Sequence, residues 1–216
     1  MTPMEQSLID AIQNGDAQTV TDLLATTPGL ADTRTQGGVS ALLLAIYGGR
    51  RSIARQIAEN REGLDIFEAA ALGHRSHLER SLELDPEGAE HYSADGLTPL
   101  HLAARFNQPE ACQLLLDRGA DPDRISDNPL GFRPLHAAVA GHSLEAAELL
   151  LDAGATPDAR QGDGLTSLMA AAATGQIEVV ELLLDHGADP DLRSKEGLTA
   201  RDLARTQSFE DIESLL

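Results

Sequence analysis

The chain has 216 residues, 42% of them hydrophobic but only 3% aromatic, and its 35 acidic against 16 basic residues give a net charge of −19. That balance disfavours nucleic acid and anionic membranes as partners, because both are held by Lys and Arg. A single cysteine, Cys112, excludes an internal disulfide framework and suits a reducing, cytoplasmic setting.

Glu5, Asp10 and Asp16 stand where a secretion signal needs a basic start and an apolar stretch. The longest apolar run, Ala41 to Tyr47, falls far short of the roughly 20 residues that span a bilayer. The expectation is a soluble, cytoplasmic chain. Excess negative charge on exposed helix faces keeps such a chain dissolved and monomeric.

A phrase recurs along the second half. Gly96-Leu97-Thr98-Pro99-Leu100-His101 returns as Gly131-Phe132-Arg133-Pro134-Leu135-His136, then as Gly164-Leu165-Thr166-Ser167-Leu168-Met169 and Gly197-Leu198-Thr199-Ala200-Arg201-Asp202. The glycines are 35, 33 and 33 residues apart. Self-similarity at this period signals a solenoid, in which each unit is stabilised by stacking on its neighbours. With the Leu of Thr-Pro-Leu-His as anchor, equivalent positions are Leu8, Leu42, Phe67, Leu100, Leu135, Leu168 and Arg201. About seven units result, each a short helix, a tight turn, a second helix and an extended loop, in one continuous domain over residues 1–216.

In chain order, the first unit (1–35) lacks an opening finger and serves as the N-terminal cap that a solenoid needs. The second, anchored at Leu42, begins its second helix with Arg50, Arg51 and Arg55, the one dense positive cluster; its two candidate roles are docking an acidic segment and balancing Glu59 and Glu62, and the balancing role is the one expected. Only eight residues, Glu59 to Ile66, lead from there to the third unit, against sixteen to eighteen at later junctions. Eight cannot form the usual finger, so a gap in the row of fingers is expected. Thr98, Thr166 and Thr199 open the first helices of units four, six and seven as N-caps, with Pro99 and Pro134 at first-turn positions. Arg133 replaces the capping Thr of unit five, a loss of up to about 1 kcal/mol. Asn128-Pro129-Leu130 lengthens the loop before it. The second helices carry one apolar stripe at helical period, such as Ala111-Cys112-Leu114-Leu115 and Val179-Val180-Leu182-Leu183. Gly119, Gly154 and Gly187 end them, and Pro122, Pro157 and Pro190 prevent continuation. Residues 197–216 form the C-terminal cap through Ile212, Leu215 and Leu216.

Gly-x-Thr-Pro-Leu-His-x-Ala-Ala, followed by Leu-Leu-Leu and Gly-Ala-Asp-Pro-Asp (Gly119–Asp123, Gly187–Asp191), resembles the ankyrin repeat family. The resemblance is most specific in units four to six. It implies an all-α solenoid of L-shaped units: two antiparallel helices, with the loop projecting at right angles as a β-hairpin finger. It also implies that His101 and His136 brace neighbouring turns, and that partners bind the finger tips and the concave row of first helices.

Little else suggests chemistry. His74-x-x-His77 places two ligands on one helical face, but no Cys or zincin Glu accompanies them, so a metal-dependent enzyme there is a remote alternative. Asp121-x-Asp123 and Asp189-x-Asp191 start like calcium loops yet lack the later glycine and acidic ligand. Cys112 lies in the apolar stripe, where a thiol is packed and inert. No nucleophile elbow, phosphate loop or dinucleotide fingerprint occurs, so no cofactor is expected.

A non-catalytic protein-interaction module is therefore the principal expectation. Its rival is an acidic decoy that occupies a basic nucleic-acid-binding protein, with binding that collapses in salt. Groove positions are Tyr47, Leu72, Arg105 and Phe106, with Ala140, Ala173 and Thr174. Finger-tip positions include Leu130, Phe132, Leu165 and Lys195, with Asp95, Leu97, Asp163 and Leu198. Aromatic and Arg side chains dominate binding hot spots, so Tyr47, Arg105, Phe106 and Phe132 are expected to form one anchor patch; the alternatives are that Phe132 packs between fingers and that Phe106 covers its neighbour. Truncating Arg105 and Phe106 together is expected to abolish partner capture and leave melting unchanged.

Overall fold

Helix starts are fixed by side chains that accept from the otherwise unbonded backbone N–H groups of the first turn. Thr2, Ser40, Asp65, Thr98, Thr166 and Thr199 all do so. Arg133 does not: a guanidinium has no acceptor, and only the half of the box in which Arg133 N–H donates to His136 Nδ1 (3.2 Å) survives. The Arg133 head group instead reaches the Arg160 carbonyl at 3.3 Å and lies 3.7 Å from Asp123.

The computed structural model describes residues 1–216 and contains fourteen α-helices. Unit one is α1 (Pro3–Asn14) and α2 (Ala17–Thr26); unit two, α3 (Ala41–Tyr47) and α4 (Arg51–Glu59); unit three, α5 (Ile66–Leu72) and α6 (Arg75–Leu84). Unit four is α7 (Pro99–Arg105) and α8 (Pro109–Asp117), and unit five α9 (Pro134–Ala140) and α10 (Leu144–Asp152). Units six and seven are α11 (Ser167–Ala173) with α12 (Ile177–Asp185), and α13 (Ala200–Thr206) with α14 (Glu210–Leu215). Seven helix pairs stack as an all-α solenoid. Odd-numbered helices form the inner row and even-numbered ones the outer row. Buried alanines at Ala69–Ala71, Ala103–Ala104, Ala137–Ala138 and Ala171–Ala172 let the inner row pack closely. At the turn between α9 and α10 a Cβ on Gly141 would collide with the Arg105 carbonyl oxygen, so turns four and five approach backbone to backbone.

The fingers are hairpin turns with very short arms. Thr35 N–H donates to Val39 O (2.8 Å), Ser93 to Leu97 (2.8 Å), Gln161 to Leu165 (3.0 Å) and Ser194 to Leu198 (2.9 Å). Strand pairing goes no further than single bridges at Arg34–Ser40 and Arg160–Thr166. Adjacent fingers are laced together. Asp127 N–H donates to Gly96 O (2.8 Å), Gly162 N–H to Leu130 O (2.7 Å), and Lys195 Nζ to Gly162 O (2.6 Å).

The junction between units two and three departs from this regularity. Six residues, 60–65, join α4 to α5, and no finger forms. The expected gap in the finger row is closed, however. Gly38 of the preceding finger lies so near Ala94 of the following one that an added Cβ would stand 2.9 Å from the Ala94 Cβ. Tyr47 Oη donates to Asp95 Oδ2 at 2.6 Å, spanning the same interval. With the spacer removed, its neighbours draw together. The buried core splits at this point: one cluster runs from Leu8 to Ile57, and the larger one covers units three to seven plus Leu43.

Arg61 occupies the space left by the missing finger. Its side chain is 9% exposed and pairs with Glu68, which is fully buried at 0%. Glu68 stands at the position that His101 and His136 hold in later units. Its other oxygen accepts from Asp65 N–H (3.0 Å), closing the cap of α5. Arg61 Nε lies 2.9 Å from Asp32 Oδ1 at an angle outside hydrogen-bond geometry, so that contact is coulombic.

Candidate functional site

The turn of unit three, Gly73–His74, is one residue shorter than Gly48–Arg50 in unit two and Phe106–Gln108 in unit four. The third unit is therefore recessed between its neighbours. Other consecutive outer helices pack against each other, but α4 and α6 barely meet. Closing the finger side at this junction opens the outer side. The result is a groove of about 1050 Å³, with Leu72 and His74 from unit three, one wall from unit two and the other from units four and five.

Five of the seven groove positions expected from the sequence converge here: Tyr47, Leu72, Arg105, Phe106 and Ala140. The Tyr47 and Phe106 rings stack across unit three, centroids 5.8 Å apart and 20° from parallel. Burial, then the hydrogen bond to Asp95, raises the Tyr47 hydroxyl pKa, so the ring stays neutral and donating. Ser93 Oγ holds the other Asp95 oxygen at 2.6 Å.

Leu130, Phe132, Leu165 and Lys195 lie on the finger row. Phe132 is half-buried, edge-on to His101 with centroids 5.6 Å apart, and so braces the fold instead of joining the groove. Leu165 is half-buried and Lys195 is engaged with Gly162. Leu130 alone offers a large free apolar side chain, at 62% exposed. The single patch expected from Tyr47 to Phe132 thus divides in two. Leu97, expected at a tip, is buried in the core because its finger folds inward over α7.

Two arginines expected to balance neighbouring carboxylates also line the groove. Arg51 and Arg55, one helical turn apart on α4, line the wall. Neither pairs with Glu59 or Glu62 or any other carboxylate, so charge balance does not explain them. Arg50 points elsewhere, over Gly15 with Nη2 3.5 Å from the Gln13 carbonyl. The signal was available in the i, i+4 spacing of two arginines beside a junction too short for a finger.

His74 and His77 stand edge to face at 5.8 Å, and no group of three or more His, Cys, Asp or Glu side chains is placed to hold a metal ion. Cys112 is fully buried, and burial pushes its thiol up to about 12. A thiol reagent at pH 8 is expected to leave the native protein unmodified and to label one thiol after denaturation; labelling of the folded protein within minutes contradicts this packing.

Family models agree with this architecture. One described as ankyrin repeats (3 copies) matches residues 8–124 and 66–161, and one described as ankyrin repeats (many copies) matches residues 150–204. The chain belongs to the ankyrin repeat family. This ankyrin-repeat chain is 39% identical over 102 residues to Neurogenic locus notch homolog protein 4 of Homo sapiens, covering 46% of this chain and 4% of that protein. It is 30% identical over 162 residues to Ankyrin repeat and SAM domain-containing protein 6 of Danio rerio, covering 55% of this chain and 22% of that protein. It is also 41% identical over 59 residues to Palmitoyltransferase akr1 of Aspergillus oryzae, covering 27% of this chain and 8% of that protein. The chain thus spans less than a quarter of the length of these relatives. Ankyrin repeats are generally protein-interaction modules and not catalysts. No helix here is long and apolar enough to cross a membrane.

Proposed function

We propose that this ankyrin-repeat chain is a non-catalytic module that binds one partner protein through the groove at unit three, with the finger row as a second contact. It acts as a cytoplasmic monomer, a reading supported by its charge and its single buried thiol. The observation that carries the binding site is the stacked Tyr47–Phe106 pair beside the exposed Arg105. An aromatic platform with an adjoining guanidinium is the residue set that concentrates binding energy at interfaces. The acidic-decoy alternative needs carboxylates at its contact surface, and this groove has only Glu59.

Affinity capture with mass spectrometry, followed by calorimetry on the purified pair, tests the site. Arg105→Ala is expected to weaken binding at least tenfold, the loss typical of a hot-spot residue. Its melting should be unchanged, since the side chain is exposed. Phe106→Ala is expected to weaken binding and also lower stability by about 1–2 kcal/mol through loss of the stack, which revises the expectation of unchanged melting. Full affinity in Arg105→Ala rejects the site.

A further inference from the structure

The groove differs in charge from the molecule that contains it. Arg51, Arg55 and Arg105 line it, and none makes an ion pair or a side-chain hydrogen bond. Most other arginines of the chain are engaged. Arg34, Arg61, Arg75, Arg124 and Arg205 are paired with carboxylates, while Arg160 and Arg193 donate to carbonyls. In a chain of net charge −19, three unpaired guanidinium groups converge on one recess whose lining holds a single carboxylate, Glu59. Arg51 and Arg55 lie on one face of α4 beside Ala54 and Ala58, whose small side chains leave room for an incoming side chain. Leu72 and the Tyr47–Phe106 stack supply the apolar surface.

We infer that the groove takes an acidic segment of a partner protein, with a large apolar side chain seated on Leu72 and Phe106 and flanking carboxylates held by Arg51, Arg55 and Arg105. This rests on the binding site proposed above and adds the chemistry of its occupant. Guanidinium groups recognise carboxylates through paired N–H···O bonds. The same groups attract phosphate, but a chain of net charge −19 repels a long polyanion that extends beyond the recess. A short acidic peptide keeps its charge inside the recess. A second copy of this chain carries the same net charge of −19, so self-association is disfavoured by the same repulsion.

A random dodecapeptide library displayed on phage, selected against the whole protein, tests this occupant. Enriched sequences are expected to combine several Asp or Glu with one aromatic or branched aliphatic residue. Binding of a synthesised winner, followed by fluorescence anisotropy, is expected to fall roughly tenfold or more on Arg51→Glu with Arg55→Glu, as like charges are brought together. It should also weaken as salt rises from about 0.05 to 0.5 M. Circular dichroism of the double variant should match the wild type, since both side chains are exposed. Basic or neutral winners, no enrichment, retention of binding by the double variant, or stronger binding of a single-stranded oligonucleotide to the same arginines each overturns the inference. If the native partner is lost on Arg105→Ala yet bound normally by Arg51→Glu with Arg55→Glu, the binding site stands and the acidic occupant falls.

Discussion

Arg61→Ala is expected to destabilise the protein by about 3–5 kcal/mol, the usual consequence of leaving a buried charge unpaired. Glu68 is fully buried, and only Arg61 and the Asp65 N–H meet its carboxylate. Removing the guanidinium leaves an anion out of water with one backbone donor. Attraction within the pair is not the reason for the size of the effect, since burying two charges consumes most of what their contact returns. Arg61→Met with Glu68→Gln tests that distinction. Gln keeps the acceptor for Asp65 N–H, Met fills the space of the Arg stem, and neither carries charge. The double variant is expected within about 1–2 kcal/mol of wild type by urea denaturation. A loss below about 1 kcal/mol in Arg61→Ala, the range of an exposed pair, rejects the buried-pair account.

The location of the loss is as informative as its size. The core divides at the junction that Arg61 fills, and outer helices α4 and α6 do not reinforce it. Solenoid stability is a sum of units and nearest-neighbour interfaces. Weakening one interface therefore uncouples the flanking arrays. Amide exchange in Arg61→Ala is expected to accelerate across α1–α4 while α7–α12 keep their protection. Uniform acceleration across all seven units contradicts the division.

Repeat register made the groove partly legible. Tyr47, Leu72 and Arg105 occupy one position in three successive units, and a stack brings equivalent positions together whatever the loops do. The capping residues Thr98, Thr166 and Thr199 were legible for the same reason, because their partners lie three residues away. What failed depended on contacts between distant segments. The short link at 59–66 predicted a missing finger correctly, but linear spacing contains nothing about how far its neighbours move in. Hence the closure at Gly38–Ala94 and the opening between α4 and α6 went unseen, and Arg51 and Arg55 were assigned to charge balance ahead of docking. Leu97 was placed outside because finger residues are usually exposed, yet it turns into the core; Phe132, open at the sequence level to either a contact role or packing between fingers, packs against His101. Glu68 was detectable in principle, as a carboxylate at the position of a buried histidine.

Acidification from pH 6.5 to 4 is expected to remove up to about 3 kcal/mol of stability for each of His101 and His136, as 1.36 kcal/mol accompanies each unit of pKa change. Burial depresses both to about 4 from an ordinary value of 6.5. The bonding explains why the charged form is rejected. His101 Nε2–H donates to the Phe132 carbonyl (3.1 Å), which leaves Nδ1 unprotonated to accept from Thr98, 3.3 Å from its N–H and 2.8 Å from its hydroxyl. A second proton on Nδ1 would point at the Thr98 N–H and break the cap of α7. His136 repeats only the Nδ1 half of this, accepting from Arg133 N–H while its buried Nε2 has no partner, and a guanidinium nearby repels charge further. Between the two pKa values the unfolded chain binds protons that the folded chain refuses, so stability rises with pH across that window and is complete above 6.5. Relief of repulsion among 35 acidic residues acts in the opposite direction. Comparing wild type with His101→Gln, which cannot titrate, separates the two effects. The stability lost between pH 7 and 4.5, from urea denaturation, should be smaller in the variant by the contribution of one imidazole, while the opposing carboxylate effect is common to both proteins. Identical pH dependence in both proteins would show that the imidazole is not held neutral by its surroundings.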